Sequence, residues 1–129
     1  MEQSRRHFIK KAVGAAAFGS YAFAGSPAFA KPIGANDRLR IAVAGLNGRG
    51  GSHIGGWLSQ SNVEIAYLID PDENVLRKKI EEVKKQTGKA PKGFSDVRKA
   101  LEDPELDALS IATPNHWHSL MTIWGAQAG

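Results

Sequence analysis

The stretch "IAVAGLNGRGGSH", Ile41 to His53, restricts the fold more than any other part of the chain. A short apolar run rich in β-branched residues stops at glycine, and Gly45, Gly48, Gly50 and Gly51 crowd the positions that follow. Such a run with such an ending reads as a buried strand entering a tight turn. "VEIAYLID" has the same character and ends at the polar Asp70, so it reads as a second buried strand. "KGF" is expected as a short third strand, and "LDALSIATP" as another.

Helical patterns alternate with these strands. "PDENVLRKKIEEVKKQTG" is the clearest. Pro71, Asp72 and Glu73 suit its start, Lys84, Lys85 and Gly88 its end, and Val75, Leu76, Ile80 and Val83 form an inward stripe. "SHIGGWLSQ" is expected as a short helix, with Ile54, Trp57 and Leu58 at helical spacing. "SDVRKALED" reads as a short helix capped by Ser95 or Asp96. "NHWHSLMTIWGAQAG" reads as a helix opened by Asn115 and closed at Gly125 or Gly129. Strand alternating with helix implies right-handed βαβ units, hence an α/β fold with a mainly parallel sheet.

In such a fold the glycines have a chemical use. A turn between strand and helix needs positive φ, and its backbone must come close to any bound phosphate. Unpaired N–H groups at the helix start then donate to the anion. Gly45, Asn47 and Gly50 fall at the spacing G-x-G-x-x-G, with Asn47 in the middle glycine's place and Gly48 next to it. Asn tolerates left-handed backbone, so the turn is expected to survive the replacement. Leu46 lies inside the motif, and Arg49 can pair with a pyrophosphate, pair with an NADP phosphate or remain solvated. Asp70 follows the next strand, where a carboxylate can accept both ribose hydroxyls of adenosine and repel a 2′-phosphate. This favours NAD over NADP. The competing reading makes Asp70 a helix cap before Pro71.

"ATPNHWHSL" leaves the last strand at the same carboxyl edge of the sheet, where ligands of open α/β sheets bind. Thr113 and Asn115 offer hydrogen bonds, Pro114 fixes the turn, Trp117 offers a flat apolar surface and His118 a switchable donor. Trp124 reads as packing, and His53 as a helix-start residue near the cofactor. His116 and His118 are two apart and do not share a helix face. With no cysteine in the chain, neither a metal site nor a nucleophilic triad is expected.

Charge narrows the partners. The formal charge is +4 over 129 residues, but Arg5, Arg6, Lys10 and Lys11 against Glu2 account for most of it. The remainder is close to neutral, without the concentrated basic face that nucleic acid requires. Residues 1–30 read instead as an export signal. A charged opening, "MEQSRRHFIKK", precedes the glycine-broken apolar "AVGAAAFGSYAFAGS", and "AFA" at Ala28 to Ala30 suits a peptidase. The apolar part is too short and glycine-rich for a stable membrane span. Arg5 and Arg6 followed by Phe8, Ile9 and Lys10 resemble the twin-arginine signal, so the export machinery is an expected partner and the periplasm the expected location. Residues 31–37 form a lead-in, and 38–129 the folded domain.

With "AGLNGRG", "LID" and "ATPNHWH" in place, the chain from about Arg38 to Gly129 resembles the N-terminal domain of the Gfo/Idh/MocA oxidoreductases. The resemblance implies a Rossmann-like, doubly wound, mainly parallel sheet, truncated here after about four strands, that holds NAD(P). It puts Gly45, Leu46, Asn47, Gly48, Arg49 and Gly50 near the pyrophosphate and Asp70 near the adenosine ribose. Thr113, Asn115, Trp117 and His118 come to lie on the nicotinamide side. It further implies hydride transfer at the hydroxyl of a sugar or cyclitol, although some related glycosidases use a transient NAD oxidation. The family's next strand carries a Glu-Lys-Pro motif with a proton-transferring lysine, and a second domain completes the substrate site. Neither lies in these residues, so no catalytic residue is assigned, and the chain alone is expected to be a fragment that does not turn over substrate. A non-catalytic dinucleotide-binding module is the alternative. An oligomer is compatible with either.

Overall fold

The computed structural model describes residues 38–129; the expected export signal and lead-in lie outside the described residues. Four strands alternate with four helices: β1 (Leu39–Ala44), α1 (Arg49–Leu58), β2 (Val63–Ile69), α2 (Glu73–Thr87), β3 (Lys92–Phe94), α3 (Arg98–Leu101), β4 (Ala108–Ile111) and α4 (Asn115–Ala128). All pairings are parallel and the strand order is β3-β2-β1-β4. The chain therefore leaves β1 in one direction to reach β2 and β3, then crosses back to place β4 on the other side of β1. That reversal makes the boundary of β1 and β4 a topological switch point. The sheet is Rossmann-like, in agreement with the reading from sequence.

Both faces of β1 are covered, which is why it reads as an unbroken apolar run rather than an alternating one. Ile41 and Val43 pack with Leu46, Ile54, Ile65, Leu68 and Val83 beneath α1 and α2. Ala42 and Ala44 face the opposite layer with Ile69, Val97, Ala100 and Met121, beneath α3 and α4. Small residues on that second face let α3 and α4 come close. Each large side chain buried in the first cluster contributes about 1.5–3 kcal/mol.

Helix α2 is bounded as its sequence predicts. The Asp72 carboxylate accepts from the amides of Asn74 and Val75, at 2.9 and 3.3 Å. Gly88 closes the helix in the left-handed conformation, φ 77°, and its N–H donates to the Lys84 carbonyl. A cap of the Asp72 kind contributes about 1 kcal/mol.

Two boundaries differ from expectation. Helix α1 begins at Arg49 instead of Ser52, because Gly50 and Gly51 donate back to the carbonyls of Asn47 and Gly48 and are drawn into its first turn. Helix α4 opens at Asn115 and closes at Gly129, the later of its two expected ends, with Pro114 before it and no side-chain cap. Neither Ser95 nor Asp96 is the residue flanking α3; that position is Val97, although Asp96 does accept the Arg98 amide at 3.0 Å.

Polar groups tie β1 and β2 to the segment before β4. Tyr67 donates to Asp103 at 2.7 Å, and Arg40 pairs with Asp103 and Glu105. The Tyr67 hydrogen bond is the main reason the Asp103 carboxyl is held below its ordinary value, and the same bond raises the phenol.

Candidate functional site

At the carboxyl edge the chain leaves β1 through Gly45, with φ 82°. Its N–H donates to the Ile69 carbonyl at 2.8 Å, prolonging the β1–β2 ladder past the last strand residue. A Cβ on Gly45 would lie 2.7 Å from the Thr113 nitrogen and 2.8 Å from the Ala112 carbonyl. Only a residue without a side chain lets β1 and the exit of β4 approach so closely. Gly50 meets a second restriction, since a Cβ there would run into the Gly45 carbonyl oxygen. The turn is thus folded onto the start of α1 with no room between them.

Gly48 carries the other positive φ of the turn, 52°, and no residue other than glycine adopts one among the described residues. Asn47 therefore does not take the left-handed backbone expected of it. Its side-chain oxygen accepts the Gly48 amide at 3.0 Å and fixes the turn in that way. Asn47, Gly48 and Arg49 are exposed at the start of α1, where amides and the helix dipole favour an anion. Arg49 forms no ion pair among the described residues.

Asp70 is 8% exposed, the single buried acidic side chain among the described residues. One carboxylate oxygen accepts the Leu46 amide at 2.8 Å and the other the Asp72 amide at 2.9 Å. It is not the cap of α2, which is Asp72. A carboxylate has about four lone-pair sites, so two remain for hydroxyl donors after both backbone amides are satisfied. Leu46, fully buried, anchors the turn from below.

The facing corner follows β4. The Ala112 amide donates to the Ala44 carbonyl at 2.8 Å, so the corner starts in register with the turn. Thr113 turns its hydroxyl to the Met121 sulfur at 3.8 Å, away from the edge, so what it brings to the crevice is backbone. His118 approaches the Thr113 carbonyl with Nε2 at 2.7 Å. Asn115 and Trp117 are exposed, Trp117 by 43%. His53, expected at a helix start, lies a turn into α1 and bonds the Ser110 hydroxyl through Nδ1 at 2.9 Å.

Glycine turn, Asp70 and the Thr113–His118 corner thus meet at the switch point. The partnerships of Asp70 with Leu46 and of His118 with Thr113 were not read from sequence. The first joins residues 24 apart and no local pattern encodes it; the second, five residues apart, spans the strand-to-helix corner, where no periodicity applies.

The site fits a dinucleotide: a turn drawn tight by Gly45 and Gly50, an exposed helix start for the phosphates, and a carboxylate with lone pairs to spare. Residues 39–129 match the family model described as an oxidoreductase family with an NAD-binding Rossmann fold. The alpha-N-acetylgalactosaminidase of Tannerella forsythia is 30% identical over an alignment that takes in all of this chain and 31% of that protein. A glycosyl hydrolase family 109 protein of Akkermansia muciniphila is 29% identical over 67% of this chain and 19% of its own length. The chain therefore spans less than a third of these relatives. Among solved structures, myo-inositol 2-dehydrogenase from Lactobacillus plantarum is 26% identical, with a TM-score of 0.61 over 72% of this chain and 26% of that one. The WlbA dehydrogenase from Bordetella pertussis, solved with NADH and UDP-GlcNAcA, is also 26% identical, with a TM-score of 0.60 and the same coverage. The chain belongs to the Gfo/Idh/MocA oxidoreductase family, and residues 39–129 form its NAD-binding Rossmann domain.

Proposed function

We propose that the chain is the cofactor-holding part of an exported enzyme that uses NAD, in preference to NADP, to move a hydride at a sugar-like hydroxyl. Asp70 carries the cofactor preference. Its buried carboxylate keeps lone pairs for ribose hydroxyls, whereas a 2′-phosphate there meets a like charge without screening water. The Arg49 amide and guanidinium, at the exposed start of α1, receive the pyrophosphate. Asn115, Trp117 and His118 line the nicotinamide side, and the bound ring supplies the hydride acceptor. Twin arginines Arg5 and Arg6 support export, which is checked by whether the chain accumulates in the periplasmic fraction. Among the described residues no helix is long and apolar enough to cross a membrane.

A second reading is favoured by the relatives named as glycosyl hydrolases. There the hydride would be returned to the sugar, and a glycosidic bond broken, with no net change in the cofactor. A substrate assay on the longer polypeptides of this family separates the two: a dehydrogenase accumulates NADH, whereas a glycosidase releases sugar without it. For this chain the test is an equilibrium titration with NADH and NADPH. NADH is expected to bind at least about tenfold more tightly, and Asp70→Asn to narrow the gap. Tighter binding of NADPH, or no binding of either, would overturn the reading.

A further inference from the structure

The two walls of the crevice need a fixed separation, and Gly45 sets only one limit on it. With the Thr113 nitrogen 2.7 Å from the place of a missing Cβ, the β4–α4 corner cannot move closer to the turn. The Ala112 amide, bonded to the Ala44 carbonyl at 2.8 Å, keeps the strand end from swinging outward, so what remains to be fixed is the path from Thr113 into α4. Pro114, the residue before α4, has no amide hydrogen and caps nothing with its side chain. The first backbone bond of the new helix runs from the Trp117 amide to the Pro114 carbonyl, beyond Thr113. The side-chain bond that reaches back across the corner is His118 to the Thr113 carbonyl, at 2.7 Å.

A carbonyl oxygen only accepts, so Nε2 must carry the proton. The neutral ring is therefore the Nε2–H tautomer, with the Nδ1 lone pair left over. We propose that His118 is a positioning residue for the dinucleotide: as an Nε2–H donor to the Thr113 carbonyl, it locks the Thr113–Pro114 peptide to the first turn of α4, so that the corner faces Gly45 as one rigid wall. This rests on the cofactor reading of the site and refines it, because His118 acts through the backbone of Thr113 rather than by contact with the cofactor. Its Nδ1 forms no hydrogen bond among the described residues, so the tautomer is set by Thr113 alone.

The test uses the full 129-residue chain. Nitrogen NMR of the histidine rings, without ligand, is expected to show His118 with a protonated Nε2 and a lone pair on Nδ1. NADH is then titrated into the wild type, His118→Ala and His118→Gln, with a thermal melt of each. His118→Ala is expected to weaken NADH about tenfold, and His118→Gln, whose amide still donates, to recover affinity to within about threefold of wild type. A merely structural histidine would lower the melting temperature in both variants and leave affinity alike in both. The Nδ1–H tautomer, or a His118→Ala affinity within about twofold of wild type, would overturn the proposal. If His118→Ala does not fold, His118→Gln and the tautomer decide. A wild type that fails to bind NADH instead brings down the cofactor reading together with the role proposed for His118.

Discussion

The two walls of the crevice stand a few ångströms apart, yet they are made differently. On the turn side, Leu46 is fully buried, Asp70 nearly so, and two glycines meet carbonyl groups wherever a side chain could be added. On the corner side, β4 is at best half-buried, and Trp117, Leu120 and Ile123 are 43, 38 and 53% exposed. The turn wall is fixed by close backbone packing and a buried carboxylate. The corner wall is fixed by a short ladder to β1, the buried Met121 and two histidine hydrogen bonds, His118 to Thr113 and His53 to Ser110. Changes in the first should therefore damage fold and affinity together, and changes in the second should act on affinity more than on fold.

Gly50→Ala tests that division most severely. The new methyl group must displace the Gly45 carbonyl, so the turn has to open, with a stability loss of about 1–3 kcal/mol. Urea unfolding should show that loss, and NADH binding should disappear with it. Retained affinity would mean that the turn is less tightly fixed than its packing implies.

Tyr67→Phe sharpens the comparison from outside the crevice. It removes the hydrogen bond from β2 to Asp103, in the segment before β4, and should lower stability by about 1 kcal/mol. NADH affinity should stay as in the wild type. A parallel loss of affinity would show that this tie and the crevice are coupled and would dissolve the distinction between walls.

The smallest effect is expected at Asp96, where α3 begins. Arg98 pairs with it at 2.6 Å and lies over the Trp124 ring of α4. The hydrogen bonds from Arg98 lower the Asp96 carboxyl from 3.8 to about 2. A carboxyl depressed on folding contributes stability above its unfolded value and loses it as pH falls through its folded value. The contribution is thus complete above about pH 4 and fades between there and about pH 2. The Asp96 side chain is 40% exposed and its partner 63%, so solvent leaves little of it. Titration of Asp96 by NMR should rise toward 3.8 in Arg98→Ala yet stay below it, because the amide of residue 98 still donates to the carboxylate, with almost no change in the melt at neutral pH. A large change there would give the corner side a rigidity that its exposure does not suggest.

Much of the turn wall was legible in the sequence, and little of the corner wall. Strands β1 and β2 are buried on both faces, so their unbroken apolar runs mark them, and Asp70 at the end of β2 could be located by counting. Helix α2 declared itself by its cap, its stripe and its closing glycine. What stayed hidden were contacts between residues far apart in sequence. Asp70 bonding Leu46 and Thr113 packing on Gly45 depend on strand order, which local patterns do not encode. Helix α1 was read as starting at Ser52, with Gly50 and Gly51 left in the turn, as their low helix propensity suits. Their bonds to Asn47 and Gly48, and the packing of Gly50 on Gly45, outweigh that propensity.

The central place of β1 also bears on the order in which the chain can be made and assembled. β1 is among the earliest segments of the described domain to be synthesised, while β4, its partner on one side, is the last strand; the first bond joining them, from the Arg40 amide to Asp107, closes a span of 67 residues. At about 5–20 residues per second, β1 waits on the order of 3–13 s at the ribosome before that partner appears. Until then its second edge is bare and apolar, and the crevice has one wall. Cofactor loading needs β4 and the first turn of α4 as well as the glycine turn, so occupancy reports that both walls are in place.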